Sequence, residues 1–387
     1  MLETIVVLGG GYAGLTAAAR LSEAGLEGSV TLVDAKPGFV ERIRLHEIAA
    51  GSRPQDLDYR SFMASRGGLF VQGTATDIDT VEKAVTIRTT AGRSRTVGYD
   101  RLVYALGSST DSGAALGVDR HADFLDTVPG TLAFREAVAG GGKVLIVGGG
   151  LTAIEAACEL AERSPSLDVT LAAGKAFGPA DEPGGLSVAG FDHVRATLDR
   201  LGIHVVSGRR VARLHAAEAV LDSGETLSFD RCIWAAGFRV PDLARRAGIA
   251  VNDSGQIVVD ATLRSVSHPE IVAVGDAAEV VVEPAGKCRM SCAAGRPMGE
   301  AAARTILAAR EPGAAEPFGF AYSFRCISLG RKDGLIQFVD RQDRPVEEVW
   351  TGERGARWKE YICRRTLAGI GFASDLGPPP DTPPRIA

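Results

Sequence analysis

The stretch Ile5-Val6-Val7-Leu8-Gly9-Gly10-Gly11-Tyr12-Ala13-Gly14 decides the fold. Four apolar, mostly β-branched residues predict a buried strand, and an alanine- and leucine-rich helical pattern follows the glycines. A second apolar run, Val30-Thr31-Leu32-Val33, ends in Asp34, 20 positions after Gly14. Strand, glycine turn, helix, strand and terminal acid within about 30 residues are the parts of a dinucleotide-binding unit. Gly9 permits the tight turn, Gly11 lets the backbone approach a pyrophosphate, and Gly14 lets helix and strand pack closely. The helix N-terminus offers free N–H groups to the anion, and Asp34 would accept ribose hydroxyls.

The plan recurs. Val144-Leu145-Ile146-Val147 leads into Gly148-Gly149-Gly150-Leu151-Thr152-Ala153, a helical pattern from Ile154 to Arg163, and the strand Asp168-Val169-Thr170-Leu171. Gly148, Gly150 and Ala153 satisfy the same turn rule, with alanine as the permitted third member. Position 173 stands 20 after Ala153, as Asp34 does after Gly14, but it holds alanine. A second repeat supports the first: Tyr99-Asp100-Arg101-Leu102-Val103-Tyr104-Ala105-Leu106-Gly107 parallels Phe229-Asp230-Arg231-Cys232-Ile233-Trp234-Ala235-Ala236-Gly237. A third marker, Ile271-Val272-Ala273-Val274-Gly275-Asp276, is a buried strand ending in Gly-Asp. A carboxylate there lies in the ligand crevice of an open α/β sheet, or serves as a turn aspartate.

Composition bounds the function. The 387 residues suffice for two or three domains, and 45% hydrophobic with 24% charged residues excludes a wholly disordered chain. Forty-eight acids against 43 bases give a net charge of −5, which counts against nucleic acid as partner. No apolar run reaches the ~20 residues of a membrane span. The N-terminus lacks the basic region of a signal peptide. Six dispersed cysteines do not suggest a secreted disulfide framework, so a cytoplasmic location is expected.

With these motifs in this order, the chain resembles the two-dinucleotide-binding flavoproteins of the pyridine nucleotide–disulfide oxidoreductase superfamily. It is most similar there to the type II NADH dehydrogenases and their soluble relatives. Three segments carry that closer likeness: Phe39 to Gly51, Thr152-Ala153-Ile154-Glu155, and Ile327-Ser328-Leu329-Gly330-Arg331. The resemblance implies an α/β fold with two Rossmann-like domains, the FAD domain interrupted by the NAD(P) domain, plus a small C-terminal α+β region. The implied boundaries are 1–111 and 239–317 for the two parts of the FAD domain, 112–238 for the NAD(P) domain, 318–376 for the C-terminal region, and 377–387 for a disordered, proline-rich tail. It places FAD on Gly9, Gly11, Gly14, Asp34, Gly107 and Asp276, with Tyr12, Ala13, Lys36, Arg42, Ala75, Ala105 and Cys292 as further contacts. It places NAD(P)H on Gly148, Gly150, Ala153, Lys175 and Gly237. Glu155 falls near the flavin–nicotinamide junction, with surface solvation as its plainer alternative.

The departures matter as much. Arg44 stands where quinone-reducing relatives usually carry an apolar residue, and it either contacts a polar substrate or pairs with Glu41 or Glu47. Arg289 approaches Ser291-Cys292-Ala293-Ala294, a segment whose helix dipole, if helical, would face charge developing on a reduced flavin. With Ala173-Gly174-Lys175, repulsion of a 2′-phosphate is absent and Lys175 is free to pair with it, which leans the reading toward NADPH or dual use. Neither redox-cysteine pattern of the superfamily is present, and Cys288 and Cys292 share only a helical face. His46 is the one histidine in the flavin-proximal segment, with a structural role standing beside a catalytic one. Residues 354–372 form a basic amphipathic pattern that packs on the body of the protein or a second subunit in preference to a membrane surface.

The resulting expectation is an FAD enzyme that takes hydride from NAD(P)H and passes electrons to a small acceptor, foremost a quinone or quinone-like compound. A reductase of a ferredoxin-like carrier, a biosynthetic flavin oxidase or dehydrogenase that ignores NAD(P)H, and a non-enzymatic redox or nucleotide sensor are its rivals. A homodimer is left open.

Overall fold

The structure is a computed structural model and describes residues 3–25, 28–174, 177–309, 315–373 and 376–383. Ile5–Leu8 is fully buried on both faces, as a central parallel strand must be. It pairs in parallel with Val30–Asp34 on one side and Arg101–Tyr104 on the other. Leu69–Asp79 extends the sheet beyond Val30–Asp34, and Ile271–Ala273 extends it beyond Arg101–Tyr104. An antiparallel hairpin, Ala84–Thr89 and Ser94–Gly98, completes seven strands.

The second sheet repeats this order in four parallel strands: His204–Ser207, Leu167–Gly174, Gly142–Val147 and Arg231–Trp234. The sequence repeat reappears in the register. Ile5 to Leu8 lie opposite Arg101 to Tyr104, and Val144 to Val147 lie opposite Arg231 to Trp234. The first sheet receives Ile271–Ala273 from beyond the second, so the second unit is inserted into the first. The two crossings, Ser109–Thr110 and Phe238–Arg239, pair antiparallel with one another.

The glycine turns work by close approach. A Cβ on Gly9, whose φ is +94°, would stand 2.3 Å from the Ala105 carbonyl oxygen, and one on Gly14 would stand 1.9 Å from that of Gly9. The helix Tyr12–Glu23 packs along Cys292–Ala308, where a Cβ on Gly299 would meet the Ala13 oxygen at 2.2 Å.

The C-terminal region is three antiparallel strands, Phe324–Ser328, Gly334–Val339 and Pro345–Trp350, covered by the helix Gly352–Ile370. Trp350 meets Phe338 and Trp358 edge-on, at 5.1 and 5.4 Å between ring centroids. The helix buries Trp358, Lys359, Cys363, Leu367 and Ile370, so its apolar stripe is covered by the protein's own body. Of the proline-rich tail, Asp381 is ion-paired with Arg354 at 2.6 Å. Residues 384–387 lie outside the described residues.

A polar latch fixes this region to the inserted domain. Asp333 accepts from Thr197 Oγ1 (3.1 Å), Arg200 Nη2 (2.8 Å) and the Gly352 N–H (3.0 Å), and lies 2.9 Å from His193 Nε2. Gln337 Oε1 accepts from both N–H and hydroxyl of Ser187, which caps the helix Val188–Arg200. Burial opposes ionisation of Asp333, yet its bonds to His193 and Thr197 hold the carboxyl below the usual carboxylate range. A depressed carboxyl stabilises the fold above its unfolded pKa, and that contribution is lost as pH falls through the folded value. Asp333→Ala is therefore expected to cost about 2–4 kcal/mol in urea unfolding at neutral pH. The deficit should shrink in strongly acidic solution, where the wild-type latch is protonated.

Candidate flavin and nicotinamide site

A cavity of about 230 Å³ opens where the ends of the two sheets face each other. Its walls include Gly11, Tyr12 and Ala13 from the first glycine turn, and Ala105, Gly107 and Ser108 from the first crossing. Gly275, Asp276, Cys292 and Gly295 complete that side, while Thr152, Glu155, Trp234 and Ala235 come from the inserted domain. A Cβ on Gly11 would meet nothing within 4 Å, so the space above the helix N-terminus is free for an anion. Asp34 accepts the Gly10 and Lys36 N–H groups at 2.7 and 2.8 Å, fixing its carboxylate at the loop edge, and the Lys36 ammonium lies 3.5 Å from it. Asp276 accepts from Ser108 Oγ at 2.6 Å. Ala75 lies on Leu69–Asp79, the strand beside Asp34. These residues fit an extended dinucleotide: turn, open helix end, ribose acceptor and a second acid further along the cleft.

The second turn has the same cradle. Gly148 adopts φ +143°, Gly150 faces open space, and Ala153 is fully buried against the sheet. Gly237 adopts φ +80° at the return crossing. Ala173 is buried, and Lys175 lies outside the described residues.

Beyond the cradle, three parts of the chain bring Glu155, Lys359 and His46 together at the cavity wall. Glu155 Oε1 accepts from Lys359 Nζ at 2.8 Å and from the Ser328 N–H at 3.0 Å. Its Oε2 stands 4.0 Å from His46 Nδ1. Lys359 also donates to the Cys326 carbonyl at 3.2 Å. Burial alone would neutralise both partners, but Lys359 holds Glu155 below the usual carboxylate range, and Lys359 stays well above its ordinary value. The pair is ionised. Burial lowers the pKa of His46, whose Nε2 is buried and has no partner among the described residues. One turn from Glu155, burial raises Glu159 to about 7 against the pull of Arg331, 2.7 Å away.

Arg42 and Arg44, two residues apart on one short turn, separate. Arg42 lines the cavity, donates to the Ser108 carbonyl (2.6 Å) and pairs with Asp126 (3.0 Å). Arg44 is directed elsewhere: it pairs with Glu41 and Glu47 at 3.1 Å and meets Glu360 through two nitrogens at 2.8 and 3.0 Å. This is the pairing alternative, and Arg44 is not among the residues that line this cavity. Arg289 likewise turns away, to Asp343 at 2.6 Å and the ring of Tyr322. Cys292 begins the helix Cys292–Ala308 at the cavity, and burial pushes its thiol up to about 12. Cys288 is buried and its thiol is also pushed up.

Lys359 is the site residue the motifs missed. Its signal was in the helical phase: positions 359, 363, 367 and 370 share one stripe, so an amine stood among Cys363, Leu367 and Ile370 on the face that had to be buried.

Comparison with known proteins agrees with this architecture. Residues 3–298 match the family model described as pyridine nucleotide-disulphide oxidoreductase. An NADH dehydrogenase-like protein of Mycobacterium tuberculosis is 33% identical over 331 residues, 79% of this chain and 80% of that protein. A type II NADH:quinone oxidoreductase of Haemophilus influenzae is 26% identical over 395 residues, 88% of each. The structure of NDH2 from Plasmodium falciparum in complex with NADH shares the fold at a TM-score of 0.81, with 14% identity over 96% of this chain and 97% of that one. The chain belongs to the pyridine nucleotide-disulphide oxidoreductase family, as an oxidoreductase that works with FAD and NAD(P)H.

Proposed function

We propose that this enzyme carries two electrons from NAD(P)H to a quinone-like aromatic acceptor. The carrying observation is the ionised Lys359–Glu155 pair on the wall of the flavin cavity, with His46 beside it. Reduction of a quinone by NAD(P)H consumes one proton from solvent: NAD(P)H, a proton and quinone give NAD(P)⁺ and hydroquinone. The acceptor oxygens gain negative charge as electrons arrive, so a fixed donor beside them lowers the barrier. When bound, the flavin supplies the two-electron relay between nicotinamide and acceptor.

The Lys359 ammonium is that donor, and Glu155 keeps it charged and aimed. Neutral His46 adds a second polar group at the same wall. The Haemophilus relative carries quinone in its name, which supports the same acceptor class. No described helix is long and apolar enough to cross a membrane.

Anaerobic stopped-flow provides the first test. Flavin reduced by NAD(P)H should be reoxidised fastest by water-soluble naphthoquinones and benzoquinones. Reoxidation only through an added ferredoxin-like carrier, or only by oxygen, would overturn the proposal.

Lys359→Met should lower kcat for the quinone about 10–100-fold while reduction of the flavin by nucleotide persists. Because that variant strands a buried carboxylate at a cost of about 3–5 kcal/mol, the double change Glu155→Gln/Lys359→Met separates stability from function. It should regain thermal stability without regaining quinone turnover. With Glu155 depressed and Lys359 raised, the pair stays ionised from weakly acidic to alkaline pH. Quinone turnover should therefore lose the pair's contribution only on the acid side, as Glu155 takes up a proton below the usual carboxylate range, and a pH–rate profile of wild type against the double variant measures this.

A further inference from the structure

The internal duplication extends to a segment that no nucleotide motif covers. In the first domain Val71-Gln72-Gly73-Thr74-Ala75 follows the strand edge beside Asp34, with Asp34 opposite Gln72. In the inserted domain the matching stretch is Val206-Ser207-Gly208-Arg209-Arg210. Ala172 lies opposite Val206 and Gly174 opposite Ser207, with a bulge between, so Ala173 occupies the place of Asp34. The chain then clasps that strand end: the Gly208 N–H donates to the Gly174 carbonyl at 2.8 Å, and Gly174 forms a bridge with Arg209. Gly208 adopts φ +77°, which lets the backbone turn there. Arg209 and Arg210 thus stand beside the strand end at which a dinucleotide's adenosine ribose is read.

The two strand ends differ in the side chains they carry. Asp34 supplies a carboxylate to the first nucleotide, whereas Ala173 supplies none to the second. Arg209 and Arg210 are both exposed, and among the described residues neither is ion-paired. Arg209 donates to the Gly208 carbonyl at 3.1 Å. The neighbouring acid, Asp222, accepts the Arg210 backbone N–H at 3.2 Å. A free guanidinium matches a phosphate through paired hydrogen bonds, and an unmodified ribose offers it no such partner.

We infer that Arg209 and Arg210 read the 2′-phosphate of NADPH and make this chain's donor NADPH in preference to NADH. The inference rests on NAD(P)H as electron donor and deepens it by naming which nucleotide is used and which side chains choose. It also sets this chain apart from relatives whose names carry NADH.

The test uses the full-length, FAD-loaded protein. Calorimetric titration with 2′,5′-ADP and 5′-AMP compares ligands that differ only in the 2′-phosphate. 2′,5′-ADP should bind at least about 10-fold more tightly, with the advantage falling as salt rises. In Arg209→Ala/Arg210→Ala the ratio of the two affinities should collapse toward one. In steady state, the ratio of kcat/KM for NADPH over NADH should fall by the same factor, and Ala173→Asp should push it the same way by repulsion. Equal binding of the two ligands by the wild type would overturn the inference. So would an NADH preference, or a double variant that weakens both nucleotides alike. If neither nucleotide reduces the flavin, the donor assignment itself fails, and the 2′,5′-ADP comparison still decides what the arginines recognise.

Discussion

The buried ion pair between Lys359 and Glu155 is the contact on which the arrangement of the three parts depends. Glu155 belongs to the inserted domain, Lys359 to the C-terminal helix, and the cavity they face is lined chiefly by the first domain. Two charges taken out of water cost several kcal/mol each, and their attraction returns that only with good geometry and satisfied remaining valences. Both conditions are met by the Ser328 N–H on Glu155 and the Cys326 carbonyl on Lys359. Those two groups come from one strand, Phe324–Ser328, so the C-terminal sheet and helix must both be seated before the pair is solvated by protein. Assembly of the site and docking of the C-terminal region are one event.

The two nucleotide domains show how a duplicated scaffold diverges. Everything that forces the backbone is kept: a positive φ at Gly9 and Gly148, open space at Gly11 and Gly150, and a small residue where helix meets strand. The matching strand ends differ in their side chains, where substitution costs the fold little. Asp34 stands against Ala173, and Thr74-Ala75 against Arg209-Arg210, so the side-chain charge at the matching strand ends changes from negative to positive. The scaffold holds phosphate chains through backbone N–H groups, so side chains are free to set which nucleotide is preferred.

This division also explains what could be read from the sequence. Glycine turns, terminal acids and the repeated Ala-x-Gly crossings are local signals, because each is imposed by a close approach within a few residues. A Cβ on Gly14 would stand 1.9 Å from the carbonyl oxygen of Gly9, five residues back, which leaves only glycine at position 14. The polar contacts that complete the site are different in kind. Glu155 met Lys359 across 204 positions, and Asp333 met Arg200 across 133, so neither partner is implied by spacing. Arg42 and Arg44 stand two residues apart, and only the backbone turn between them sends one to the cavity and the other to Glu360.

Consecutive residues on the C-terminal helix carry this logic to its end. Lys359 binds a carboxylate of the inserted domain, and Glu360 binds the Arg44 guanidinium of the first. Adjacent helical positions point about 100° apart, so a single helix reaches both domains with charges of opposite sign. Rotating the helix by one residue in one direction would set Glu360 toward Glu155, and in the other would set Lys359 toward Arg44, so either turn puts like charges together at low dielectric. An apolar stripe of Trp358, Cys363 and Leu367 tolerates small rotations, because hydrophobic burial has no direction. The ordered pair of charges does not. It therefore selects one docking angle from those the apolar face allows, and that angle is the one that brings an ammonium to the wall of the flavin cavity.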